Sequence, residues 1–200
     1  MAQVKKPEVQ KSILEAAFTL FSEQGYQSTS MPDIASRAGI TAGNIYRYYK
    51  SKFELFYDVL EPWLNDQLDC LEQEVAELAD EREMLRKVLK FMWVDLPRAE
   101  NNFELNLMEA LATKKPDETY SRDLLLSSEK RITGLLEAIL PIHVKETFPS
   151  NDISHLMFMC HDGFVLNTKL VNNTARDQVL IDRFVTLAFG SVQRSGHSNG

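Results

Sequence analysis

Three helix-start signals follow one another closely near the beginning of this 200-residue chain. Ser30 precedes Pro32 and Asp33, Thr41 follows a glycine-containing turn, and residues 51–54 (Ser-Lys-Phe-Glu) have the pattern of a capping box. A helix can begin only where the previous one has ended. This stretch is therefore restricted to short helices joined by tight turns.

The remainder of the chain has the three-to-four residue spacing of longer amphipathic helices, for example at Leu60, Leu64, Leu68 and Leu71. Breaks are predicted near Asp80 and at three prolines and a loop: Pro97, Pro116, Pro141 and 148–151. No segment alternates convincingly like a strand. With 44% apolar and 26% charged residues, the chain has the composition of a globular protein. We therefore predict an all-α fold with a frayed tail at 195–200.

Charge divides the chain into two parts, and we predict one domain in each, 1–52 and 53–200. The first part has seven basic and four acidic side chains, a formal charge of +3, whereas the second carries −10. Only the first part is therefore suited to a phosphate backbone. Cys70 and Cys160 form no CxxC pair, and no apolar run is long enough to cross a membrane. We expect a cytoplasmic protein without membrane contact, metal or cofactor.

The most informative segment is Met31–Lys50, which has the pattern of a helix-turn-helix. Such a motif needs a small residue where the helices cross, a turn glycine that accepts positive φ, and a branched residue that locks the pair. Ala35, Gly39 and Ile45 supply these. The outward face of the second helix is then formed by Thr41, Ala42, Gly43, Asn44, Arg47 and Tyr48.

At these residues the chain resembles the TetR family of bacterial transcriptional regulators. The similarity covers about residues 9 to 60 and is carried by these segments: Gly25-Tyr26, Thr29-Ser30-Met31, Asp33-Ile34-Ala35, Ala38-Gly39-Ile40 and 43–52 (Gly-Asn-Ile-Tyr-Arg-Tyr-Tyr-Lys-Ser-Lys). The resemblance implies a TetR-like fold, with an N-terminal three-helix helix-turn-helix domain that binds DNA. A C-terminal helical domain would bind a ligand and dimerise.

The resemblance also implies roles for individual residues. Thr29 and Ser30 would bind phosphate at the start of the second helix, and the DNA backbone would be held by Tyr46, Tyr48 and Lys52. The base edges would be read by Ala42, Gly43 and Arg47, with Arg47 able to bond guanine through two hydrogen bonds. Ala42 departs from relatives that have a polar residue there. Asn44 either contacts DNA or braces the turn. Tyr49 is expected in the core, and Lys50 is expected to be a solvated charge rather than a residue that reads a base.

For the C-terminal domain the resemblance implies a homodimer and a small-molecule effector. The last two helices are apolar on more than one face, and the predicted interface comprises Leu156, Cys160, Gly163, Phe164, Leu170, Leu180, Phe184, Leu187 and Ala188. Candidates for an effector pocket are Trp63, Phe91, Trp93, Phe103, Met108, Met157, Phe158 and His161. Large apolar side chains at helical spacing are more often part of an ordinary core. If they form a pocket, they favour an apolar or cationic aromatic ligand, and Glu104 and Glu109 either pair with a cation or lie on the surface.

Two other classes of protein remain as alternatives. His161-Asp162, with His143 or His155 and Asp177 or Asp182, loosely resembles the site of an HD-type metal-dependent phosphohydrolase. His155 and His161 are six residues apart, however, and so do not share one helical face. A helical adaptor is the third interpretation. The sequence favours a non-enzymatic regulator, most simply a repressor at a palindromic operator that a small molecule releases.

Overall fold

The computed structural model describes residues 6–114, 121–170 and 174–190. Within these ranges there are ten α-helices, α1 to α10 in chain order: Pro7–Ser28, Met31–Arg37, Ala42–Ile45, Lys52–Ala76, Glu81–Lys90, Phe103–Thr113, Asp123–Ile139, Ile142–Thr147, Ser150–Leu170 and Thr174–Phe189. No strand occurs among the described residues, and the predicted all-α fold is confirmed. The predicted stop at Pro116 and the tail 195–200 lie outside the described residues.

The local signals around α2 and α3 act as their chemistry predicts. The Ser30 side chain accepts a hydrogen bond from the Asp33 amide, and the Asp33 carboxylate accepts one from the Ser30 amide, which completes a capping box. The Thr41 hydroxyl accepts a hydrogen bond from the Asn44 amide at 3.3 Å. Gly39 has a φ of +71°, the left-handed conformation expected of a turn glycine. The predicted starts of both short helices are thus confirmed.

The chain divides into two compact units. Unit 1 contains Met1–Asp69 and Leu96–Leu125, and unit 2 contains Cys70–Asp95 and Leu126–Gly200. Their limits differ from residue 52, where we predict the functional boundary, because α6 packs against α1 within unit 1. The functional division itself stays a prediction, since a compact unit and a functional domain need not coincide.

The core of unit 1 contains an aromatic cluster. Phe103 of α6 lies edge-on to Phe18, Phe56 and Trp63, with ring centroids 5.1, 6.0 and 5.2 Å away. Phe56 and Phe103 are both completely buried, and Tyr49 is 2% exposed, as expected for a core residue. Aromatic pairs at such distances add to the free energy gained from burial alone. This cluster fixes α1, α4 and α6 in one body.

An irregular segment that the sequence does not reveal lies between α5 and α6. We expect one helix through Met92 up to Pro97, but α5 ends at Lys90. A π-helical segment, Phe91–Asp95, and a 3-10 turn, Leu96–Arg98, follow it. The short helix α8 was also not predicted. Trp93 lies at the centre of the π-helical segment, stacked on Phe164 and edge-on to Phe184 with both centroids at 5.1 Å.

Candidate nucleic-acid interface and apolar cavity

The second helix of the helix-turn-helix presents a continuous exposed surface. Its regular part, α3, is only four residues long, and turns at 46–48 extend it. Ile45 is completely buried beneath it. The exposed residues on this side are Thr41, Ala42, Gly43, Tyr46 and Arg47, and Asn44 and Tyr48 are half-buried. The structure therefore brings the residues predicted to read bases onto one surface.

Two aromatic residues at the end of this surface have different environments. Tyr46 is 53% exposed although it is a large side chain, and such exposure is typical of a contact residue. The hydroxyl of Tyr48 instead accepts a hydrogen bond from the Lys6 amide at 3.2 Å. Tyr48 therefore ties the start of α1 to the end of the motif.

Thr29 lies inside the protein rather than on this surface. The residue is 1% exposed, and its hydroxyl donates to the carbonyl of Gly25 at 2.7 Å. Ser30 beside it is half-buried and bonded to Asp33. A phosphate contact through the Thr29 hydroxyl would have to break an internal hydrogen bond, and only its neighbour has accessible surface.

Lys52 also points toward the protein. Its Nζ donates to the carbonyls of Tyr26 and Thr29 at 2.6 and 2.9 Å, and it lies 4.2 Å from the centroid of the Tyr26 ring. Burial lowers the pKa of this ammonium group, and the nearby Glu109 carboxylate partly opposes that shift. The arrangement makes Lys52 a link between α4 and the α1–α2 connection.

An apolar cavity of about 350 Å³ lies within unit 2. Leucine, isoleucine, valine, methionine and alanine provide most of its wall: Leu85, Leu89, Leu140, Val144, Ile153, Leu156, Met157, Leu187 and Ala188. Trp93, His143, Thr147, Phe148, Cys160 and Phe184 complete it. None of these side chains is acidic, and burial raises the pKa of the Cys160 thiol, which favours its neutral form.

Only part of the predicted pocket lines this cavity. Trp93 and Met157 do, whereas Trp63 and Phe103 belong to the aromatic cluster of unit 1. The residues Phe91, Met108, Phe158 and His161 are placed elsewhere, and Phe91 and His161 are buried. His161 Nδ1 is hydrogen-bonded to the Met92 carbonyl at 2.6 Å.

Sequence reasoning missed most of the cavity wall because its residues are aliphatic. Their only signal is helical spacing, at Leu85 and Leu89 of α5 and at Ile153, Leu156 and Cys160 of α9. Such spacing is the same for a solid core and for a cavity. The absence of a filling side chain leaves no mark in the sequence.

The predicted interface residues lie on α9 and α10 and include several with unusual exposure. Leu187 is 79% exposed, Leu156 43%, and Leu180 and Phe184 37% each. Gly163 is exposed, and Cys160 and Phe164 are half-buried. Other large apolar side chains of these two helices are also exposed: Met159, Leu166, Leu170 and Val179. We call these exposed apolar residues of α9 and α10 the apolar stripe.

The described ranges contain neither a cluster of metal ligands nor a membrane-spanning helix. No group of three or more His, Cys, Asp or Glu residues is placed there to hold a metal ion. His155, part of the HD-type alternative, lies 3.2 Å from Glu129. No helix in these ranges has the length and hydropathy to cross a membrane.

Comparison with known proteins identifies the N-terminal residues. Residues 13–59 match the family model described as "Bacterial regulatory proteins, tetR family". The chain is 45% identical over 64 residues to the HTH-type transcriptional regulator AcrR of Shigella flexneri, a match that covers 30% of each protein. It is 34% identical over 77 residues to the transcriptional repressor KstR2 of Rhodococcus jostii, 38% of each. These matches span about a third of the relatives' length.

Solved structures extend the similarity of fold to most of the chain. The fatty acid degradation regulator FadR of Bacillus halodurans has a TM-score of 0.62 and 20% identity, covering 96% of this chain and 99% of the other. A transcriptional regulator of Saccharomonospora viridis in complex with choline has a TM-score of 0.66 and 19% identity, covering 90% and 96%. Thermus thermophilus FadR in complex with lauroyl-CoA has a TM-score of 0.62 and 19% identity, covering 96% and 99%. At these identities the similarity concerns the fold alone.

Proposed function

The chain belongs to the TetR family of bacterial regulatory proteins, and from this premise we propose that it is a cytoplasmic, homodimeric transcriptional repressor released from a palindromic operator by an apolar small molecule. The observation that carries the proposal is the exposed surface of the helix-turn-helix, with Arg47 and Tyr46 on it. We assign no catalytic role to any residue.

The DNA contacts follow from which side chains are accessible. Eight of the ten predicted contact residues would contact the operator: Ser30, Thr41, Ala42, Gly43, Asn44, Tyr46, Arg47 and Tyr48. Arg47 would bond a base edge, whereas Tyr46 would bind the phosphate backbone. Thr29 and Lys52 would act indirectly, because their polar atoms already hold the α1–α2 connection.

Dimerisation would supply a second helix-turn-helix to contact the operator. One short recognition helix contacts few bases, and a two-fold dimer doubles the contact and matches an inverted repeat. The apolar stripe supports this arrangement, because a row of half-exposed leucines is costly in water and a second copy can bury it. The open surface at Gly163, where an added Cβ would meet no atom within 4 Å, fits a close helix crossing.

The cavity favours a hydrocarbon ligand. Relatives of the same fold are found with lauroyl-CoA and with choline. A buried cation would need an acidic partner, but the cavity wall has no acidic residue. Glu104 and Glu109 belong to unit 1. An acyl chain therefore fits this wall better than a cationic ligand.

Release would follow from residues that have two roles. Leu156, Phe184 and Leu187 line the cavity and also belong to the apolar stripe. A ligand that contacts them would favour one arrangement of the dimer over another. Operator affinity would then fall by the difference between the ligand's affinities for the two arrangements.

The test of DNA recognition is selection of bound sequences from a random duplex pool at two salt concentrations. We expect an enriched inverted repeat whose affinity falls as salt rises. Failure to enrich any sequence, with a folded dimer and with or without acyl ligands, would contradict the proposal.

The test of dimerisation is Leu187→Glu, with Leu126→Glu as the matched control. Both leucines are exposed, Leu126 at 52%, but Leu126 lies on α7 outside the apolar stripe. Analytical ultracentrifugation should show a monomer only for Leu187→Glu. Dimers of equal stability in both variants would place the interface elsewhere.

The test of the ligand uses Trp93 as the reporter. The chain has two tryptophans, so Trp63→Phe leaves only the one at the cavity. Lauroyl-CoA, a free fatty acid and choline are added in turn, and we expect saturable fluorescence changes only with the acyl compounds. A response to choline alone would overturn the assignment of an apolar ligand.

A further inference from the structure

A break in α1 deprives the Tyr26 amide of its helical partner. At Gly25 the chain has φ +82° and ψ 170°, so the helix is interrupted although helical residues follow. In a regular helix the Tyr26 amide would donate to the Ser22 carbonyl, whereas the Phe21 carbonyl belongs to the last turn before the break. The Tyr26 amide is in the interior, where an unmade hydrogen bond is costly.

One side chain from α6 bonds with this amide and also with the Phe21 carbonyl on the other side of the break. Asn106 Nδ2 donates to the Phe21 carbonyl, and the Tyr26 amide donates to Asn106 Oδ1, each at 3.0 Å. Asn106 is 2% exposed, so water does not compete. An amide suits this position because it offers a donor and an acceptor side by side. The contact joins residues 80 and 85 positions apart in the sequence.

Further bonds lead from this break to the start of α2. The carbonyls of Tyr26 and Thr29 accept from Lys52, and the Thr29 hydroxyl donates to the Gly25 carbonyl. Glu109, three residues after Asn106, raises the pKa of Lys52 against the effect of its burial. Two residues of α6 thus act on the connection that leads into the helix-turn-helix.

We propose that Asn106 is a positioning residue for the DNA-reading surface. By bonding both sides of the break at Gly25, it sets the direction in which residues 26–30 lead into α2. The functional part of this inference rests on the proposed binding of an operator. The structural part, the order of residues 26–37, does not.

The functional test compares Asn106→Leu and Asn106→Asp, with Ala112→Leu as the control on the exposed side of α6. Asn106→Leu removes both hydrogen bonds at nearly constant volume and should weaken operator binding at least tenfold. The control should bind like the parent. Equal operator affinity in Asn106→Leu and the parent would overturn the inference.

The pH dependence of Asn106→Asp separates positioning from mere loss of packing. A carboxylate accepts from Tyr26 but repels the Phe21 carbonyl, whereas a protonated carboxyl has one donor and one acceptor like the amide. Burial favours the protonated form. Operator affinity relative to the parent should therefore recover as pH falls from 8 to 5.5, and no recovery would contradict the proposal. This variant also decides the question if Asn106→Leu does not fold.

Hydrogen exchange tests the structural part without DNA. In Asn106→Leu, or in Asn106→Asp at pH 8, amides at 26–37 should exchange at least tenfold faster, whereas α9 should be unchanged. Unaltered exchange at 26–37 would overturn the inference. If the parent binds no operator, the proposed function fails, and this measurement still decides whether Asn106 holds the break.

Discussion

The two compact units use apolar residues in opposite ways. Unit 1 completely buries the rings at the centre of its core, Phe56 and Phe103, and bonds its buried Asn106 at both ends of the amide. Unit 2 surrounds a cavity of about 350 Å³ and leaves Leu170 and Leu187 about four-fifths exposed. A closed core needs nothing further, whereas open apolar surface gains free energy from whatever covers it. We therefore expect the stability of unit 1 to be independent of ligand and partner, and the stability of unit 2 to rise when either one binds.

The largest expected effect is on the closed core. Phe103→Ala removes a ring that contacts three others and should lower the free energy of unfolding by about 3–5 kcal/mol. Phe148→Ala, at a residue of the cavity wall that is 41% exposed, should cost less than about 1 kcal/mol. Urea unfolding followed by far-UV circular dichroism measures both. Equal losses of unfolding free energy in the two variants would contradict the proposed difference between the units.

The next effect concerns binding alone. Arg47→Ala should weaken operator binding by about 1–3 kcal/mol and relax preference at one base position. The unfolding curve should not move, because Arg47 is exposed. Arg122→Ala, also exposed, is the charge-matched control, and fluorescence anisotropy with the selected duplex gives the affinities. A parallel loss in both variants would indicate a general charge effect.

Substitutions at two glycines of unit 1 should distinguish an effect on stability from an effect on DNA binding. An added Cβ meets no atom within 4 Å at either Gly39 or Gly43, but only Gly39 has positive φ. Gly39→Ala should therefore cost roughly 1–2 kcal/mol of stability. Gly43→Ala should raise stability by about 0.5–1 kcal/mol, because alanine favours the helix, while its methyl group obstructs the DNA. Thermal unfolding and operator binding together distinguish the two outcomes.

The smallest effect is spectroscopic. Burial raises the pKa of Tyr49 to about 12, from a model-compound value of 10.0. Because the folded pKa lies above the unfolded one, Tyr49 contributes stability that is complete below pH 10 and lost as pH rises toward 12. Absorbance at 295 nm should show one of the six tyrosines ionising last, and Tyr49→Phe should remove that step. A single transition near pH 10 for all tyrosines would contradict the burial.

Sequence alone predicted those features of the fold that local chemistry determines. The caps at Ser30 and Thr41 and the conformation of Gly39 depend on residues within four positions, and all are confirmed. Asn106 bonds to residues 80 and more positions away, so no local pattern reveals it. Lys52 is a similar case: its positive charge is typical of a phosphate ligand, but its Nζ is hydrogen-bonded to the carbonyls of Tyr26 and Thr29, which are distant in the sequence.

The π-helical segment Phe91–Asp95 has a consequence for how this chain tolerates insertions and deletions. A π-helical turn holds one more residue than an α-helical turn, so the segment amounts to a one-residue insertion in the helix that begins as α5. That extra residue aligns the Met92 carbonyl with His161 and Trp93 with the cavity. Losing any single residue here would rotate everything that follows by about 100°. The length of this segment is therefore constrained more tightly than the identity of its side chains.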